Sequence, residues 1–209
     1  MNIKLLICAM VMIIFHVVGL VFISSDLSHS IVQLSWLNLC ITAICVFVNK
    51  KDWNKPFVLF AIVAFMIGFF LEVLGVQTAW VFGAYEYGNP LGFKLWGVPL
   101  TIGLNWFILC YGACELSRLL VKDNFWLLVL LSSALMVGID LLIEPVAIGL
   151  GFWSWQNVEP PLQNFIAWFA IAVLLNVLYL KYIKSDDNRM APISFVVQVV
   201  FFVILGISI

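Results

Sequence analysis

Apolar residues run along this chain in stretches of about twenty, and the charged residues gather between them. The stretches fall near residues 3–23, 31–48, 57–75, 95–117, 125–144, 162–182 and 191–208. A helix needs roughly twenty such residues to cross about 30 Å of hydrocarbon. No alternating apolar and polar pattern of barrel strands is present, and lipid tolerates only helices or closed barrels, so each stretch predicts a helix. The expected fold is an all-α integral membrane protein, a bundle of about seven transmembrane helices.

Composition agrees with this pattern. The 209 residues are 65% hydrophobic and 10% charged, with a mean hydropathy of +1.15, whereas soluble domains carry about a quarter charged residues. No linker or shift of composition divides the chain, which predicts one transmembrane domain over 1–209. The first stretch resembles a secretory signal, yet it lacks a small-residue cleavage site and is long enough to span, so it is read as an uncleaved first helix. A net charge of -1 with ten Lys and Arg leaves no basic face for nucleic acid; membrane lipid is the expected surrounding. The five cysteines lie inside apolar stretches without a CxxC pair and read as packing residues.

Orientation follows from where the cations lie. Lys4, Lys50, Lys51, Lys55, Arg118, Lys122, Lys181, Lys184 and Arg189 fall on one side of the bundle, and only Lys94 on the other. The expectation is a multi-pass protein of the inner or plasma membrane with a cytoplasmic N-terminus and an outside C-terminus.

The two long connections on the cation-poor side, 75–95 and 149–161, are rich in Trp, Tyr, Gly and Pro. An aromatic belt accounts for any single ring but not for an internal match. At an offset of 68, Glu72 falls on Asp140, Gly83 on Gly151, Tyr85 on Trp153 and Tyr87 on Trp155; after a shorter loop, Pro99-Leu100 falls on Pro161-Leu162 and Trp106 on Trp168. This predicts a parallel repeat of predicted helices 3–4 and 5–6, with units of about 57–117 and 125–182, related by an axis along the membrane normal.

Ionisable groups inside spanning segments cost at least about 2.5 to 3.5 kcal/mol at the centre and mark functional interiors. Glu72, Asp140 and Glu144 are such groups. Asp140 and Glu144 share one helix face, Pro145 predicts a break or kink after them, and Gly75 permits a turn after Glu72. With Lys94 the only cation expected nearby, ion pairs cannot neutralise all three, so at least one is expected to keep its proton. A protonated carboxyl in an aromatic-lined apolar cavity is a general acid suited to an apolar substrate. Asn105 and Asn164 lie near the same ends and could position a water. His16 reads as a packing residue, and no cluster has metal-ligand spacing; no cofactor is expected.

These residues resemble the carotenoid biosynthesis membrane family, whose characterised members are carotenoid hydratases. The matching pieces are Glu72-Val73-Leu74-Gly75 with Thr78, Phe82-Gly83-Ala84-Tyr85-Glu86-Tyr87, Gly97-Val98-Pro99-Leu100 with Trp106, Asp140 with Pro145, Trp153-Ser154-Trp155, and Pro161-Leu162-Gln163-Asn164-Phe165 with Trp168. The resemblance implies addition of water to the terminal double bond of an acyclic carotenoid end resembling lycopene or gamma-carotene, giving a tertiary alcohol. In that reading Asp140, Glu72 and Glu144 are catalytic, with Asp140 the acid. Tyr85, Tyr87, Trp153, Trp155, Trp106, Trp168, Asn105 and Asn164 line the substrate site. Other carotenoid enzymes are the implied partners.

A membrane lycopene cyclase protonates the same polyene end and is the nearest rival. A carotenoid binder or transporter without catalysis is the alternative from another class. A prenyl-diphosphate transferase would need cations beside the acids, and that face has almost none.

Overall fold

A computed structural model describes residues 3–23, 28–122, 124–184 and 187–208. Among the described residues there are eight helices: α1 (Ile3–Ile23), α2 (Ser28–Val32), α3 (Ser35–Asn49), α4 (Lys55–Thr78), α5 (Leu100–Leu120), α6 (Phe125–Gly149), α7 (Leu162–Tyr182) and α8 (Met190–Ser208). All except α2 and α3 are long and apolar enough to cross a membrane.

The predicted span at 31–48 differs. A turn at Gln33 and Leu34 divides it into α2 and α3, and the 15 residues of α3 rise only about 22 Å, less than the hydrocarbon thickness. The segment nevertheless connects the two ends of the bundle. Trp36 N–H donates to the carbonyl of Pro90 at 3.2 Å, and Asn188 Nδ2 donates to Val46 O at 2.9 Å.

Two helix ends also depart from expectation. α4 continues past Glu72 and Gly75 to Thr78, where Ala79 takes a left-handed conformation (φ 59°) and its N–H caps Gly75 O. α6 continues through Pro145 to Gly149, because a proline removes one hydrogen bond that neighbouring packing can offset. At their other ends both helices start on asparagine caps: Asn54 accepts from Phe57 N–H and Asn124 from Leu127 N–H, each at 3.0 Å.

The bundle closes around α5, the most enclosed helix, which packs on α4, α6 and α8. Glycine sets the closest approach. A Cβ on Gly68 would lie 2.5 Å from Trp106 Cβ, which fixes the spacing of α4 and α5. On the far side, Asn176 of α7 ties three helices: it accepts from Cys110 and Cys114 Sγ and donates to Ser133. Nearby, Tyr179 and Arg118 both donate to Glu115 at 2.8 Å.

The expected all-helical architecture gains four very short strands. β2 (Lys94–Leu95) and β3 (Val98–Pro99) form a hairpin where a helix was predicted to start. β1 (Tyr85–Tyr87) and β4 (Trp153–Trp155), from the two long connections, pair antiparallel with Tyr85 opposite Trp155, Glu86 opposite Ser154 and Tyr87 opposite Trp153. This two-stranded cover lies over the ends of α4 and α6.

Candidate active site

Side chains alternate across an extended strand, and the aromatic-x-aromatic spacing in β1 and β4 uses that period. Glu86 and Ser154 are exposed, while Tyr85, Tyr87, Trp153 and Trp155 turn toward the bundle. The loop into β1 is tight. Gly83 has φ 106° and faces Pro161, so a Cβ there would meet that ring at 2.7 Å. Gly75 leaves room for Phe82 and the Tyr85 hydroxyl in the same way.

Beneath the cover, Glu72 on α4 is buried and accepts three hydrogen bonds. Tyr85 Oη and Tyr87 Oη donate to its Oε2 at 2.5 and 2.7 Å, and Trp106 Nε1 donates to Oε1 at 3.0 Å. Burial first, then the Glu72 charge, holds both phenols well above the ordinary tyrosine range, so they remain donors.

Glu144 on α6 has a parallel set of partners. Trp153 Nε1 and Trp155 Nε1 donate to Oε2 at 3.0 and 2.9 Å, and Asn164 Nδ2 reaches Oε1 at 3.4 Å. The same Asn164 nitrogen donates to Asp140 Oδ2 at 3.0 Å. Asp140, buried one turn earlier on α6, thus has one amide donor where each glutamate has three. By offset, Asp140 is the counterpart of Glu72; by partners, Glu144 is. Chain length does not make the difference, since β4 begins 13 residues after Asp140 just as β1 begins 13 after Glu72; the indoles of β4 instead reach Glu144, one turn closer to the cover on α6.

The rings close the site. Trp106 and Trp168 stack with centroids 3.9 Å apart, Tyr85 lies 4.9 Å from Trp155, and Tyr87 meets Trp153 edge-on at 5.9 Å. Together these side chains line a cavity of about 40 Å³, room for a water or the tip of a branched alkene but not for a long chain. All eleven residues singled out from the sequence lie on its wall: Glu72, Asp140, Glu144, Tyr85, Tyr87, Trp153, Trp155, Trp106, Trp168, Asn105 and Asn164.

Phe82, Ile102 and Ile143 complete the wall and were not singled out as site residues. Helical spacing could have found two of them, since Ile143 lies three residues after Asp140 and Ile102 three before Asn105. Lys94, the single cation expected near the acids, donates instead to the carbonyl of Tyr87 at 2.5 Å.

Comparison with known proteins adds an independent line. The family described as carotenoid biosynthesis protein matches residues 29–209. A bisanhydrobacterioruberin hydratase from Haloarcula japonica is 32% identical over 115 residues, covering 50% of this chain and 39% of the relative, so the chain matches less than half of that protein's length. No solved structure matches. The matched residues include both acid-bearing helices and both strands of the cover, and the chain belongs to the carotenoid biosynthesis protein family.

Proposed function

We propose that this protein is a carotenoid hydratase that adds water to the terminal double bond of an acyclic carotenoid end without a cofactor. The observation that carries the reading is three buried carboxyls with unequal hydrogen bonding on the wall of one aromatic cavity.

An ionised carboxylate is acceptor-only, whereas a protonated one must place an O–H. Glu72 and Glu144, each facing three donors, suit the ionised role. Asp140, with one donor, has room for a proton and is the general acid. Its O–H protonates the less substituted alkene carbon, and the positive charge forms on the tertiary carbon. The faces of Tyr85, Tyr87, Trp153 and Trp155 stabilise that cation. A water adds to it, Glu144 takes the proton that the water loses, and that proton returns to Asp140, one turn away on the same helix face, through a second water, while Asn164, which donates to both carboxyls, holds them in place. The net change is one water added to one double bond.

The antiparallel register supports two equivalent halves. Glu86 pairs with its own counterpart Ser154, Tyr85 and Tyr87 each pair with the other's counterpart, and Trp106 stacks on its counterpart Trp168, as a two-fold axis along the membrane normal requires. Because α2 and α3 together join the bundle's two ends, we read seven crossings in all. The nine cations on one side then give a cytoplasmic N-terminus and an outside C-terminus, with the acid cavity in the outer half of the plasma membrane.

The test is expression in a lycopene-producing host followed by pigment mass analysis. The hydratase reading requires products heavier by one water per reacted end, and Asp140→Asn must remove them. A ring without a change of mass would assign the chemistry to a cyclase instead, and unchanged pigment that co-purifies with the protein would assign a binder.

A further inference from the structure

A second and larger cavity, about 200 Å³, lies among α1, α3, α5, α6 and α8. It shares Ile102, Asn105, Ile143 and Trp153 with the acid cavity, so these four side chains form a common wall. Phe15, Val18 and Leu34 also line it and are exposed on the apolar outside of the bundle. The cavity therefore reaches the lipid-facing surface beside the turn that separates α2 from α3, and a chain dissolved in the bilayer can enter there.

Its wall is mostly apolar, yet besides the shared Asn105 of α5 three helices place polar side chains on it. His16 of α1 is buried, and its Nδ1 is occupied by Met12 O at 2.8 Å. Gln198 of α8 is only 5% exposed, and its Nε2 has no partner among the described residues; Asn38 Oδ1 of α3 is likewise buried and without one. Thr42 and Ser35 do not satisfy them, because their hydroxyls donate to backbone carbonyls. A buried donor and a buried acceptor left unpaired cost stability, and most such groups in folded proteins have partners. A hydroxyl can serve either, since it donates one hydrogen and accepts at its lone pairs.

We propose that this cavity seats the isoprenoid chain next to the reacting end, and that Asn38 and Gln198 select a chain bearing a hydroxyl near its terminal double bond. A cavity of about 150 Å³ takes the six carbons of benzene. On that scale the two cavities together take on the order of ten carbons, or two isoprene units. The hydroxyl is therefore placed within about two isoprene units of the alkene. Only the naming of the chain as a carotenoid end rests on the hydratase reading; the binding preference does not.

The experiment is equilibrium dialysis of labelled geraniol and its hydrocarbon counterpart myrcene against the full chain in nanodiscs, with empty nanodiscs as the blank. Wild type is expected to hold geraniol about tenfold tighter than myrcene, the upper range for one neutral hydrogen-bonded group. Gln198→Leu and Asn38→Leu are expected to bind both alike while melting no lower than wild type, because each removes an orphaned polar atom. Thr42→Phe, which fills the cavity, is expected to bind neither.

Equal binding of the two ligands by wild type overturns the proposal and means that water occupies the polar pair. A geraniol preference that survives Gln198→Leu overturns it as well, as does tight binding by a folded Thr42→Phe. Asp140→Asn, run alongside, separates the two readings. It should end hydration and keep the geraniol preference, whereas hydration without any preference in wild type sinks this inference alone.

Discussion

Replacing Glu72 by glutamine tests the hydrogen-bond pattern on which the site depends, independently of any substrate. The carboxylate accepts from two phenols on Oε2 and from the Trp106 indole on Oε1. An amide has one acceptor oxygen, so its best placement keeps the oxygen toward the phenols and turns the NH₂ against the indole N–H at 3.0 Å. Trp106 is fully buried and stacked on Trp168, and it cannot swing away. That orphaned donor costs about 1 to 3 kcal/mol, and loss of charge on two phenol bonds costs about 1 kcal/mol each, so the sum is about 3 to 5 kcal/mol. For a chain of this size such a loss lowers the melting temperature by roughly 6 to 20 °C. Thermal unfolding of the purified protein in one detergent, followed by near-ultraviolet circular dichroism of the ring cluster, measures it. Glu86→Gln is the control, since Glu86 is exposed and accepts a long 3.5 Å bond from Ser154. If Glu72→Gln melts within about 2 °C of wild type with its ring signal intact, the three-donor carboxylate is not what organises this site.

Asp140→Asn should lower the rate of hydration by at least about a hundredfold, the usual worth of a positioned general acid, with the protein still folded, as pigment mass analysis and thermal unfolding together would report. Gly68→Ala drives a Cβ to 2.5 Å from Trp106 and should abolish recovery of folded protein. Gly138→Ala, with nothing within 4 Å, should instead raise stability by about 0.5 to 1 kcal/mol, and the opposite ranking in a detergent melt would refute the assigned packing of α4 on α5. Asn176→Leu removes the partner of Ser133, Cys110 and Cys114 and should cost about 1 to 3 kcal/mol without changing which product is made, since Asn176 is not among the residues lining the acid cavity; a changed product on mass analysis would contradict that separation.

Much of the site was legible because its signals are local. A carboxyl inside an apolar stretch is costly wherever the helix goes, so Glu72, Asp140 and Glu144 announced an interior. The same aromatic-x-aromatic spacing recurs at an offset of 68, which marked Tyr85, Tyr87, Trp153 and Trp155 before their strands were known to pair. What remained hidden depends on lengths and contacts between distant segments. The second apolar run reads as a span by hydropathy, but the Gln33–Leu34 turn and the Pro90 carbonyl divide it. Self-alignment paired Glu72 with Asp140, while the packing of β4 over α6 gave the indoles to Glu144, one turn further along.

The sequence by itself determined that this chain needs lipid, that its helices carry three acids toward one end, and that two ring-bearing connections cover that end. Those features follow from residue-by-residue hydropathy and the internal repeat, which tertiary contacts do not alter. Only the folded arrangement decided which acid has three donors and which has one, and that an apolar chamber adjoins them. Hydrogen-bond partners and cavities belong to pairs of segments far apart in the chain, and no single segment encodes the distance between them.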